Sequence, residues 1–468
     1  MLAQEIRQSF SGAADFVERS VTAGGNEVTV FFLDGLTSAA EIADFVLRPL
    51  ARLPRCAADT LYKICLNGAV CSAVAVPEDA AQSVCAKLLG GFCAVVIGEK
   101  AVSFEVKSGA KRMPSPPQVE NTVKGAKDAF TETLRINTAL IRRHVRTPDL
   151  QIWETQIGRR SSTTVALLSV RGLTDPSLVS QMQTRLSSID VDGLLSPAAV
   201  EEYLTGSRRT AFPLLQYTER TDRFGQGLLD GQIGVLVDGL PLGYLAPVSL
   251  GGLMTSAEDR GRDYVSASAV RLIRYLALIL HLLLPGLFIA MAQFHPTMIP
   301  TPLLRAILQS KELVPFPTVA EVLALLIAFE LLQQAGLHLP QSIGQTVSII
   351  GGLVVGTAAV EAKLISPSSL IVVAAAGICG FALPQQDFTN AARVWQFVLA
   401  LCASVAGLFG LTAGGLCLLV RLGSLTSFGR PYLAPFSEGI LTAVIRPRLA
   451  SQKYRDPLLR ALDRRNQK

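Results

Sequence analysis

Histidine and cysteine are too scattered in this sequence to build a metal or redox centre. The eight cysteines form no C-x-x-C pair, and the four histidines do not cluster with them. A zinc site needs close-spaced ligands. The cysteines are therefore read as small apolar filler in a reducing compartment. The chain also has no G-x-S-x-G elbow, no Walker A loop and no G-x-G-x-x-G opening a helix after a strand. His144 has no evident nucleophile partner. The chain is expected not to be an enzyme and to need no cofactor and no metal. The opening MLAQEIRQSF lacks an apolar h-region, so no cleaved signal peptide is expected and the first membrane span must act as the insertion signal.

Long apolar runs are present instead, and they are unevenly placed. Half of the 468 residues are apolar, and mean hydropathy is +0.39. Residues 1–265 mix charged and apolar residues as a globular region does. From Tyr275 onward long uncharged runs appear. From Arg421 to the end, ten basic residues face only Glu438, Asp456 and Asp463. A basic tail beside a span reads as a cytosolic, lipid-facing segment rather than a nucleic-acid site.

The first half reads as a duplicated α/β unit. VTVFFLDGLT (28–37) is a strand ending in a turn, followed by Ile42, Phe45, Val46, Pro49 and Leu50 at helical spacing. TTVALLSVRGLT (163–174) repeats the plan, followed by Leu178, Val179, Met182 and Leu186. Gly35 and Gly172 are offset by 137 residues; LLGGFCAVVI (88–97) and LLDGQIGVLV (228–237) by 140. Two matching pairs at nearly one offset point to an internal repeat. The prolines of MPSPPQVEN (113–121) make a semi-rigid linker. A helix over about 124–144 is expected next, with Phe130, Leu134 and Ile141 inward. Lys124, Lys127, Arg135, Arg142, Arg143 and Arg146 would form a basic surface, solvated or docking a neighbouring subunit. YTERTD (217–222) reads as a turn held by local ion pairs.

In the second half, a span needs about 20 apolar residues. Four stretches qualify: 275–292, with Arg271 and Arg274 at its mouth and Pro285 expected to kink it; 342–360; 364–384; and 394–420. A fifth, 319–336, is ambiguous because Glu321 and Glu330 interrupt it. Charge bias puts both termini in the cytosol, and the even parity favours four spans. The fifth helix would then be interfacial, re-entrant or shielded in an oligomer. The expected domains are 1–110, a linker and basic helix over 111–150, a second α/β subdomain over 151–265, a transmembrane domain over 270–425 and a basic tail over 426–468.

Gly352 with Gly356, and Gly410 with Gly414, make G-x-x-x-G spacings that let helices approach closely. On the other face of 342–360, Thr346, Ile350, Leu353, Thr357 and Glu361 recur at three- and four-residue intervals. A stripe of hydroxyls ending in a carboxylate can line a pore, with Glu361 at its cytosolic mouth. A secondary transporter would call for repeats among the spans, and none is visible.

The chain resembles the A subunits of spore germination (germinant) receptors, the GerA family, from about Asn26 to Pro435. The likeness is densest at NTALIRRH (137–144), TERTD (218–222), FHPTMIPTPLL (294–304), VPFPTVAE (314–321), 335–368 and FGRPYLAPF (428–436). Thr221 stands where the family usually has Pro, Gln333 and Gln334 where it has an Arg-Glu pair, and Thr357 where it often has Gln. These departures unsettle any transfer of ion-pair roles near Gly336. The resemblance implies a non-enzymatic subunit of the spore inner membrane that acts with a transporter-like B subunit and a lipoprotein C subunit. It further implies a homo-oligomer that conducts cations when nutrients are sensed. A related A-subunit-like amplifier acting with the dipicolinate-release machinery is the alternative, as is a non-conducting scaffold.

Overall fold

The structure, a computed structural model, describes the whole chain except residues 71, 108–115, 118, 121, 123, 207–209, 339–355, 435–443, 449, 451 and 467–468. It divides into two compact units. One holds residues 1–208, 214–248 and 450–468; the other holds 209–213 and 249–449.

The first unit contains two five-stranded antiparallel sheets. In one, β1 (Phe16–Ala23), β2 (Asn26–Leu33), β3 (Ala75–Glu78), β4 (Phe92–Ile97) and β5 (Lys100–Glu105) lie in the order β1-β2-β4-β5-β3. In the other, β6 (Leu150–Ile157), β7 (Thr163–Val170), β8 (Gln216–Thr218), β9 (Ile233–Val237) and β10 (Gly243–Ala246) lie in the order β6-β7-β9-β10-β8. The two orders are the same, so the repeat read from the sequence is a repeat of topology. Gly35 and Gly172 take the same role after β2 and β7. Both have positive φ (87° and 73°), which an L side chain resists.

The apolar runs are continuous because the first sheet is covered on both faces. Strand side chains alternate between faces. Val28 and Val30 of β2 enter one cluster with Cys93 and Val95 of β4, whereas Phe31 and Leu33 enter another with Ala94 and Val96. The helical run 39–51 contributes Ile42, Val46 and Leu50 to the first cluster, while Phe45 is exposed. A π-turn at Ile42–Leu47 widens the spacing and turns Phe45 outward, which a 3.6-residue period does not anticipate. Leu178, Met182 and Leu186 are buried in α1 (Pro176–Ser187), as their spacing requires.

The linker helix is shorter than its pattern suggests. It is α2, Leu134–His144. Residues 128–130 give their backbone bonds to 219–221 instead of to a helical turn: Phe130 N–H donates to Glu219 O (2.8 Å), and Ala129 bridges Arg220. The Asp238 carboxylate accepts from Leu134 N (2.9 Å) and so starts the helix at that point. Arg142, read as part of a basic surface, is fully buried. Residues 450–466, as far as described, also pack in this unit. Leu462 N–H donates to Leu173 O (2.9 Å), and Ala461 is buried with Leu228 and Leu173.

Every described cysteine is a free thiol. Burial pushes Cys65 up to about 11, with Cys56 adding to the rise, which keeps that thiol protonated at neutral pH.

The second unit is a helical bundle. It comprises α3 (Tyr264–Ile289), continued by a π-turn to Phe294, α4 (Thr301–Lys311), α5 (Thr318–His338), α6 (Pro367–Phe381) and α7 (Gln386–Ser424). Among the described residues, three helices are long and apolar enough to cross a membrane: Tyr264–Phe294, Thr318–Ala335 and Gln386–Ser424. The ambiguous 319–336 stretch is thus a full-length helix. It packs in the bundle through Val322, Leu325 and Leu326, beside Ile289, Val373 and Ala400.

The 394–420 run, read as one span, is not one straight helix. Ala406 and Gly407 leave helical geometry, with Gly407 at φ +59° and ψ −137°. Two arms, 386–405 and 408–424, fold against each other. A Cβ on Gly410 would lie 2.0 Å from Cys402 O, and one on Gly414 3.0 Å from Leu399 Cδ2. At 1.5 Å of rise per residue, Leu399 and Gly414 would stand about 22 Å apart in a straight helix. The arms are about 30 and 25 Å long, each near the thickness of a hydrocarbon core. Gly410→Val is expected to force the arms apart and to lower the yield of detergent-stable chain; an unchanged melting profile would refute the hairpin packing.

Candidate functional site

Among the polar side chains buried in the bundle, Gln396, His281 and Glu321 each have a traceable reason. Pro285 lacks the amide hydrogen that would bond the carbonyl of His281, four residues earlier. Gln396 supplies the missing donor: its Nε2 donates to His281 O at 2.7 Å. The His281 ring lies against Gly380, where a Cβ would stand 3.0 Å away, and Nδ1 donates to Ala376 O at 2.8 Å. Three helices are therefore joined at one level by one histidine. Pro285 sits within continuous helix.

Glu321 is fully buried at the start of α5. Its Oε2 accepts from Ser366 N (2.9 Å) and Ser366 Oγ (2.6 Å), and its Oε1 lies 3.3 Å from Lys311 Nζ. Ser366 is the N-cap of α6 and accepts from Ser369 N. The carboxylate thus sits at a helix N-terminus, where the unpaired amides favour negative charge. It also neutralises a lysine that would otherwise be stranded. Two fragments that looked unrelated in the sequence, VPFPTVAE and LISPSS, meet at this carboxylate. Glu330, the other charge in α5, lies 3.6 Å from Arg393, and Gln334 donates to it at 3.1 Å. Both glutamates that made this helix ambiguous are therefore paired.

Of the sequence-picked pore stripe, Thr346, Ile350 and Leu353 lie outside the described residues, as does Gly352. Thr357 and Glu361 are exposed, whereas Gly356 is buried, with Leu370 of α6 3.5 Å from where its Cβ would be. Glu361 ends a helical stretch that the structure describes from 356, five residues before Ser366, whose amide bonds Glu321. That is the end of the bundle reached by Phe288 and Ile289, which share a cluster with Val319 and Ile365. It is the end away from Arg271 and Arg274, not the end assigned from charge bias.

In the first unit, NTALIRRH is a clamp. Asn137 Oδ1 accepts from Thr131 N (2.8 Å). Arg142 makes a two-pronged pair with Asp15, both bonds 2.7 Å, with both side chains buried. His144 Nε2 lies 3.0 Å from Thr221 Oγ1 of TERTD. Arg135 bonds Glu154 (2.7 Å) and also reaches Asp34 (3.2 Å). Burial pushes the Glu154 carboxyl up, opposed by Arg135. One helix therefore ties β1, at the edge of the first sheet, to both β6 and the TERTD segment of the second. TERTD is not a free-standing turn: it runs from β8 into a helix at Thr221–Asp230. Buried Arg220 keeps the expected local pair with Asp222 (2.7 Å) but also bonds Thr122 (2.8 Å) and Ala126 O (2.9 Å) far along the chain, while Arg223 bonds Glu120. Among the described residues no group of three His, Cys, Asp or Glu side chains could hold a metal ion.

The sequence reading missed Asp15, Gln396 and Ser366. Only the second had a usable signal: a proline inside an apolar helix leaves a carbonyl that some other residue must satisfy.

Comparison with known proteins gives these contacts a context. Residues 4–458 match the family model described as Bacillus/Clostridium GerA spore germination protein. The Bacillus subtilis membrane protein YfkQ is 34% identical over 91% of this chain and 83% of its own length. Spore germination protein A1 of Bacillus subtilis is 34% identical over 77% of this chain and 75% of its own length. Spore germination protein GerLA of Bacillus cereus is 30% identical over 93% and 89%. The crystal structure of the N-terminal domain of the A subunit of the Bacillus megaterium spore germinant receptor GerK3 aligns with 26% identity and a TM-score of 0.42. It covers 52% of this chain and 92% of that one. With a family match across nearly its whole length and relatives at this level of identity, the chain belongs to the GerA family of spore germination proteins.

Proposed function

We propose that this chain is the A subunit of a nutrient germinant receptor of the spore inner membrane. It acts with a transporter-like B subunit and a lipoprotein C subunit, and several copies of it assemble around a gated cation path. The family match over residues 4–458, which takes in both the α/β unit and the bundle, is the observation that carries this reading. The path is the segment 342–360 with its exit at Glu361. Support comes from the described end of that segment, where Gly356 faces α6 while Thr357 and Glu361 face outward. Glu361 would concentrate cations at the mouth remote from Arg271, and the apolar pair Ile350 and Leu353 would hold the path dry when closed.

Chain direction supports an even number of membrane passes. On this reading α5 runs away from the Glu321 end, and the path segment 342–360 is the return pass. With α3, α6 and the two arms of α7 this makes six passes and leaves both termini in the cytosol. The two arms and the fifth helix together give the parity that four spans were invoked to give.

Leu353→Ala is expected to open the path without nutrient. Spores carrying it should release monovalent cations and lose dormancy in plain buffer. Spores that hold their cations as the parent does would remove this helix from the path and leave a non-conducting scaffold as the better reading.

A further inference from the structure

At the Tyr264 end of the bundle two arginines share one buried carboxylate. Asp259 is fully buried. Arg274 Nη1 bonds it at 2.7 Å and Met254 O at 3.2 Å. Arg446 donates to the backbone carbonyls of Asp259 and Arg262, the latter at 2.9 Å, and its own amide donates to Ser268 Oγ at 3.0 Å. Arg271 touches Asp259 only through Nε, at 3.3 Å. Its two terminal nitrogens make no hydrogen bond to a described residue. Asp263 is occupied as the cap of α3, accepting from Val265 N and Ser266 N, and Glu258 is occupied by Arg262. Arg448 lies over the Tyr264 ring at 4.6 Å and bonds its hydroxyl at 3.0 Å. Arg271, Arg274 and Arg446 thus converge on Asp259, the first two on its carboxylate and the third on its backbone. Burial, then the nearby charge of Arg271, disfavours the protonated form of Arg446, as expected where like charges crowd.

This cluster sits at the boundary where exposed apolar surface begins. Leu272, Ile273 and Leu276, in the same turns as Arg271 and Arg274, are each more than half exposed. A ligand for this place needs an anionic head and an apolar body lying along α3. We propose that Arg271, backed by Arg274 and Arg446 on Asp259, binds the phosphate of an acidic glycerophospholipid in the leaflet on the Tyr264 side. The inference rests on reading α3 as a membrane span. Arg274 and Arg446 hold the frame together and Arg271 supplies the free donors, since an arginine fork suits phosphate oxygens. The lipid would fix the start of α3.

The test uses the full chain in mixed membranes of phosphatidylcholine and phosphatidylglycerol, with native mass spectrometry counting which lipid stays bound after release. The parent chain should retain phosphatidylglycerol in preference to phosphatidylcholine. Arg271→Gln should lower that preference about fivefold, the weight of one interfacial cation. Arg271→Lys should keep most of it and shows that the fold tolerates change there. Inorganic phosphate should not displace the lipid. The proposal is overturned if Arg271→Gln keeps the parent preference. It is also overturned if inorganic phosphate competes, which would make this a free-anion site. Equal loss on Arg464→Gln with Arg465→Gln would overturn it too, by tracing the preference to diffuse attraction. Failure of the germination reading would leave these binding ratios untouched.

Discussion

Arg142→Ala is expected to destabilise the α/β unit by about 3–5 kcal/mol, the usual cost of stranding one member of a buried ion pair. For a unit of this size that is a fall of about 10 °C in melting temperature. Arg142 and Asp15 have almost no exposed side-chain surface. Both carboxylate oxygens are taken by the guanidinium, and the remaining nitrogen reaches Thr147 O at 3.3 Å. Alanine therefore leaves an unanswered carboxylate where water does not reach. Because β1 and α2 belong to different sheets' surroundings, the loss should also loosen one subdomain from the other. Hydrogen exchange should rise first along β1 and β6. Arg142→Met with Asp15→Leu, which removes both charges, should recover much of the loss. A single substitution that leaves the melting temperature within a degree or two would show that the pair is not holding the unit together.

The α/β half was largely legible because its signals are local and twice repeated. A strand that ends in Asp-Gly or Arg-Gly needs a glycine with positive φ, and Gly35 and Gly172 supply it at matching positions. What escaped were contacts between segments far apart in the chain. Arg142 has the same sequence appearance as Arg143, yet only the first is buried, because Asp15, 127 positions away, faces it. The bundle was legible as apolar runs and much less so as geometry. Residues 394–420 contain no proline and no charge, so nothing in hydropathy marks the turn at Ala406 and Gly407. It becomes visible only when Gly410 and Gly414 are found against Cys402 and Leu399. Charge bias put Glu361 at the Arg271 end of the bundle, whereas Glu361 follows a helix at 318–338 that the charge count left out of the spans, and the residues just after it meet α3 at Phe288 and Ile289.

Glu321→Ala should be the most damaging single change in the bundle, costing about 3–5 kcal/mol. In an apolar bundle a broken pair has no water to fall back on. Removal of the carboxylate leaves Lys311 facing Thr318 without a counter-charge, and it takes from Ser366 N and Oγ their shared acceptor at the first turn of α6. The two losses separate with graded substitutions. Glu321→Gln keeps an oxygen for Ser366 but no charge for Lys311, so it should fall between parent and alanine. Lys311→Met added to Glu321→Gln should then recover stability, because the lysine no longer needs an anion. Ser366→Ala should cost only about 1 kcal/mol, the weight of a helix cap. Heating the chain in detergent and following loss of its monodisperse peak would rank the four variants. If Glu321→Gln proves as damaging as Glu321→Ala and Lys311→Met brings no recovery, the hydrogen bonds to Ser366 carry nothing and the charge pair is not what joins α5 to α6.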